Sequence, residues 1–189
     1  MSSKVAMCNF ALSKIGGKTI TSLSDSTKEA SLCNTFFDIV VKWVIAEGPW
    51  TCTIGYANLA ATTTASTSIY EFLYEYQLPT NCVTLLEILD AKDNDEEYIK
   101  VGSKIWTDMT EIKIIYTKNL TDPEQFDANL EQAIVARLAL ELSRPLTGLQ
   151  GLYDSLAKEY EVLVAQGLNR DGMQGSNVYI RSDDLNEVR

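Results

Sequence analysis

Histidine does not occur in the 189 residues. Its absence removes the commonest general base, and with it Ser-His and Cys-His activation of a nucleophile. The usual zinc constellations go with it, because Cys8, Cys33, Cys52 and Cys82 are widely spaced and form no CxxC pair. These cysteines read as reduced, buried, small apolar residues. Phosphate-cradling loops are also missing, with neither a P-loop nor a GxGxxG. Long apolar runs are absent: none approaches the roughly 18 residues that a membrane span needs. The opening "MSSKVAMCNF" lacks a basic stretch followed by a long apolar one, so a soluble, non-secreted protein is expected. Basic charge is scarce, with 16 Lys and Arg against 26 Asp and Glu, a formal net charge of −10. Sequence-independent nucleic-acid binding requires cations to replace condensed counterions, so wrapping DNA is disfavoured. A surface that DNA merely slides past stays compatible with the charge.

What is present is an ordinary globular composition, 46% apolar and 22% charged, which predicts one domain or one domain with an insertion. From Lys4, apolar residues fall at Val5, Cys8, Leu12 and Ile15, a helical stripe over about residues 4–15 stopped by Gly16. "SDSTKEA" then offers Ser26 as an N-cap with Glu29 three residues on. A second stripe of Ala30, Cys33, Phe37, Val40 and Val44 follows, giving a helix over about 27–47 that ends at Gly48 and Pro49. The polar, small-residue stretch from Trp50 to Ser68 buries little and could be a ribbon or a mobile loop, so no element is assigned to it.

From Ile69 the period changes to two. Tyr70, Phe72, Tyr74, Tyr76 and Leu78 share one face, against Glu71, Leu73, Glu75 and Gln77 on the other. Pro79 breaks this strand; "CVTLLEILDA", "EYIKVGSKIWT" and "EIKIIYTK" continue a small antiparallel β unit over about 69–118. At "TDPEQF", Asp122 can cap and Pro123 suits a first helical position, predicting a helix over about 123–143 with a wide apolar face. Leu149, Leu152, Leu156, Tyr160 and Leu163 mark a last helix over about 148–166, closed by Gly167. The fold class is therefore α+β: a four-helix scaffold with an inserted β unit in residues 1–168, and an extended tail over 169–189. The tail is too sparse to fold alone, and its one apolar knot, Val178, Tyr179 and Ile180, is the candidate contact with a neighbour.

Chemistry is thinly signalled. Paired carboxylates could run glycoside hydrolysis, yet most acids fall on solvated faces, and no catalytic residue, metal ligand or cofactor is assigned. The acidic turn from Asp90 to Glu97 lacks the spacing of a calcium loop and reads as a solvated hairpin tip. Trp43, Trp50 and Trp106 could mark an interface, although a core role accounts for each more simply.

Several segments, taken in order, resemble the head-to-tail adaptor family of short-tailed bacteriophages, the tail tubular protein A-like connectors. "ALSKIGGKTITSLSDSTKEASLCNTFFD" from Ala11 to Asp38 is similar to the family's opening, with Gly16 in its "LG" helix end. "EGPW" supplies Pro49 and Trp50. "YEYQLPTNC" is similar to the family's tyrosine strand, through Tyr74, Tyr76, Pro79 and Cys82, with Asn81 where Asp is usual. "TDPEQF" supplies the family's cap through Asp122, Pro123 and Phe126. At Val41 and Lys42, relatives commonly carry a charged pair. The resemblance spans about residues 5–168.

It implies a structural virion protein: a ring, expected to be dodecameric, seated between the portal protein and the tail nozzle or tube. Genomic DNA would pass through the lumen without sequence-specific binding, and no membrane is involved. The expected location is the portal–tail junction of the virion, reached from the host cytoplasm during assembly. Two other readings stay open: a cell-wall-degrading hydrolase using paired carboxylates, and a monomeric assembly or binding protein.

Overall fold

The computed structural model describes residues 3–64, 72–89 and 97–174. Helix α1 spans Lys4–Lys14, capped by the Ser3 hydroxyl, which accepts from the Ala6 amide at 3.1 Å. Gly16 ends it with φ near 70°, a left-handed geometry that costs glycine nothing. Helix α2 spans Lys28–Ala46. Its cap is Thr27, accepting from Ala30 N, one residue after the expected Ser26, and with Ala30 at the third helical position the expected box with Glu29 is not formed. The stripe Ala30, Cys33, Phe37, Val40 and Val44 is buried throughout.

The β unit begins earlier than its alternation does. Strands β1 (Ile54–Leu59) and β2 (Ala61–Thr64) occupy the stretch to which no element is assigned from sequence. They are joined to β3 (Tyr74–Gln77), β4 (Cys82–Ile88), β5 (Tyr98–Val101), β6 (Lys104–Thr107) and β7 (Ile112–Lys118) in two antiparallel sheets. One sheet runs β1-β7-β4 and the other β2-β3-β6-β5. Pairing supplies what composition did not, since the Ala, Asn and Thr residues there are held by the backbone ladder with β7 and β3.

Asp122 caps only a short 3₁₀ turn, Pro123–Gln125, and Phe126 then takes extended backbone. Helix α3 starts later than expected, at Ala128, where the Asp127 carboxylate accepts from Leu130 N at 2.7 Å. It also runs past Pro145 to Thr147. A proline in the last turn forfeits one internal bond of a helix about to stop. Its carbonyl accepts from Lys28 Nζ at 2.5 Å, and Gly148 closes the helix at φ 68°. Buried residues on α3 cover most of its circumference, as its wide apolar face predicted, and it packs against α1, α2 and α4.

Helix α4 spans Gln150–Gln174, so Gly167 does not end it and the expected tail from 169 begins as helix. The glycine has a packing role: a Cβ there would lie 2.7 Å from Trp50 Cζ3. The fold is thus α+β, with four long helices and two small antiparallel sheets among the described residues. Two cores result. One gathers α1, α2, α3 and α4 around Cys8, Phe37, Trp50 and Leu138; the other gathers Tyr76, Ile88, Ile105, Ile114 and Tyr116 against the sheets.

Candidate interaction site

The residues that carry the family resemblance do not converge on one cavity. Trp50 is fully buried, and its Nε1 donates to the Val44 carbonyl at 2.8 Å, fastening the turn after α2. Pro49 leads into it, Gly16 ends α1, and Asp122, Pro123 and half-buried Phe126 lead into α3 against the helical core. Tyr76 is fully buried in the sheet core, where its hydroxyl donates to Met109 O at 2.7 Å. Tyr74 and Cys82 pack half-buried beside it, and Pro79 turns the chain between β3 and β4. The strand's alternation is broken at Glu75, expected on the outer face but buried. Its carboxylate takes Lys104 at 2.8 Å and the Thr62 hydroxyl at 3.3 Å, which offsets the cost of desolvating it. Val178, Tyr179 and Ile180 lie outside the described residues, as do Tyr70 and residues 90–96 of the acidic turn.

The tryptophans divide. Trp50 and Trp106 are core residues, whereas Trp43 is 44% exposed on α2. Over its ring lies the Arg137 guanidinium of α3 at 5.3 Å, and the same guanidinium stands 5.3 Å from the Tyr160 ring of α4. Arg137 is also paired with Glu141 at 2.9 Å. Nearby, Arg144 stacks on Tyr153 at 3.9 Å, and Ile39 stands 45% exposed one turn before Trp43. Trp, Tyr and Arg are the side chains that most often anchor protein–protein contacts. The face made by α2, α3 and α4 around Arg137 is therefore the candidate interaction site, and it borders a groove lined by Glu47, Tyr153 and Tyr160. Sequence reading grouped these residues on separate helices, and only the packing of three helices brings them together.

Burial, with the neighbouring Glu47 carboxylate, pushes the Tyr160 phenol up to about 12. Its hydroxyl donates to Glu47 Oε1 at 3.4 Å. A phenol raised in the folded state contributes stability below its ordinary pKa, and loses it as pH climbs. Unfolding stability should therefore fall between about pH 10 and 12, and Tyr160→Phe should flatten that fall, as read by urea unfolding across the range. Elsewhere, the Cys8 thiol is pushed up, first by its hydrogen bond with Cys33 and then by burial, and burial pushes Cys52 up to about 12. Such thiols are poor nucleophiles.

Asp171 falls within the tail expected from residue 169, yet it is 3% exposed. Its carboxylate accepts from Thr51 N and from Asn129 Nδ2, both at 2.9 Å, so it clips the end of α4 to the Trp50 turn and to the start of α3. Its helical, buried position could not be read from a sequence that carries glycines at 167 and 172 on either side.

Among the described residues no three His, Cys, Asp or Glu side chains stand close enough to hold a metal ion, and no helix is long and apolar enough to cross a membrane. Searches against protein-family models and against curated proteins return no match for this chain.

Proposed function

We propose that this protein is a structural adaptor of a short-tailed phage virion, a ring-forming subunit that joins the portal to the tail and surrounds the DNA passage. The observation that carries the reading from the structure is where its large aromatic side chains lie. Phe10 on α1, Trp43 on α2, Tyr56 on β1 and Tyr98 on β5 are 66, 44, 72 and 44% exposed. Aromatics left in water on several elements fit a subunit that several neighbours cover. The ordered resemblance over residues 5–168 gives those neighbours an identity: two further copies, the portal and a tail protein. A net charge of −10 suits a passage that must not hold DNA. The adaptor is proposed to act without catalytic residues or a cofactor.

Purified protein mixed with portal particles tests this by electron microscopy. A ring of copies beneath the portal is the expected result; a single bound copy, or no binding, would overturn it. The tail is tested in the same assay. Truncation must start at 175, because removing Asp171 would disturb the helical core. Loss of residues 175–189, which include Val178, Tyr179 and Ile180, is expected to weaken attachment at least tenfold. Release of soluble fragments from cell walls by the purified protein would instead favour a hydrolase.

A further inference from the structure

The four-stranded sheet leaves two strand edges open. Its order is β2-β3-β6-β5, so among the described residues nothing pairs with the outer edges of β2 and β5. Strand β5 is exposed along its whole length, with Tyr98, Ile99 and Val101 at 44, 37 and 46%. An exposed apolar edge is a template for another strand, and soluble proteins normally blunt or cover it.

The register identifies the backbone groups left over. Val101 and Lys104 flank the two-residue turn Gly102–Ser103, where Gly102 has φ 59°. A pair flanking such a turn exchanges both hydrogen bonds, and bonded and non-bonded pairs then alternate. Val101 and Ile99 therefore spend their amides and carbonyls on β6, while Lys100 and Tyr98 direct theirs outward. The other side of β6 agrees: Leu78 N donates to Ser103 O at 2.8 Å, which places residues 103, 105 and 107 in the ladder with β3.

We infer that β5 of one copy pairs with β2 of the next, so that the four-stranded sheets of neighbouring subunits join edge to edge around the ring. This rests on the ring proposed above and names its contact. The strand count supports it. Four alternating strands make the two edges run in opposite directions, so copies related by rotation about an axis along the strands meet antiparallel. The two edges also match in length, Tyr98–Val101 against Ala61–Thr64. The three-stranded sheet β1-β7-β4 lacks this property, because its edges run the same way and cyclic copies would meet parallel, the less stable pairing.

The test uses full-length protein assembled on portal particles. Lys100→Pro removes one outward amide and leaves the bonds of β5 to β6 in place. It is expected to melt within a few degrees of wild type as a free subunit, yet to lose ring assembly at least tenfold. Lys100→Ala should assemble normally, which separates the amide from the charge. A second measurement does not depend on the proline variant folding. Lys100→Cys combined with Ala61→Cys, Thr62→Cys or Thr63→Cys should give a ladder of covalent multimers on oxidation of assembled rings, beyond any seen with wild type. Rings that form equally well with Lys100→Pro, or that give no ladder with any pair, overturn the edge pairing and leave the ring standing. A two-fold dimer linked through Lys100→Cys alone also overturns it. Absence of any wild-type ring overturns both readings.

Discussion

Trp50→Ala is expected to lower folding stability by about 3–5 kcal/mol, the range for emptying a buried aromatic site. The indole is fully buried, and its N–H is spent on the Val44 carbonyl at 2.8 Å. Its ring lies against α4 at Gly167, whose missing side chain provides the clearance. Gly167→Ala should therefore also destabilise, by about 1–3 kcal/mol, because neither a helix backbone nor a packed indole yields easily. The two changes should not add. In the double variant the alanine methyl enters the space vacated by the indole, so the combined loss should fall short of the sum. Urea unfolding followed by circular dichroism measures all three. Additive losses would mean that the two residues do not share the contact.

Tyr76→Ala should cost a free subunit a similar amount, about 3–5 kcal/mol. Tyr76→Phe should cost about 1–3 kcal/mol, since it leaves the buried Met109 carbonyl without its donor. The tyrosine strand could in principle pack within one subunit or against the next. Full burial of Tyr76 in the isolated chain assigns it to the subunit's own core. Unfolding of the free protein decides the point: an unchanged midpoint for Tyr76→Ala, with ring assembly lost, would move the residue to the interface. Half-buried Tyr74 should have the smaller effect.

Much of the helical scaffold is readable because amphipathic periodicity repeats over many residues. The stripe of α2 is buried throughout, that of α1 is buried apart from half-buried Val5, and the wide face of α3 is buried from Leu130 on. Punctuation is read less well. Asp122-Pro123 looks like a helix start and makes a 3₁₀ turn, since Asp127 offers a competing cap five residues on. Pro145 follows the expected helix end at 143 and yet lies within the last turn of α3. In each case a local signal is correct about local geometry and silent about whether the helix continues.

The candidate interaction site was less legible than the fold. Trp43 is separated by more than ninety residues from Arg137, and Tyr160 is farther still, so no spacing rule joins them. Strands β1 and β2 were hidden for a related reason. Their residues carry little β signal, and the ladder partners that hold them in extended form come from β7 and β3.

By itself the sequence determined the class of the protein: α+β, acidic, without histidine chemistry, and with its helices in order. Composition and periodicity are sums over many residues, and they survive local exceptions. Tertiary structure alone decided that Gly167 is clearance for an indole and not a helix end, that Asp171 is a buried clip and not part of a tail, and that β5 presents an unpaired edge. Each of those depends on a partner distant in the chain, whose position only the packed fold supplies.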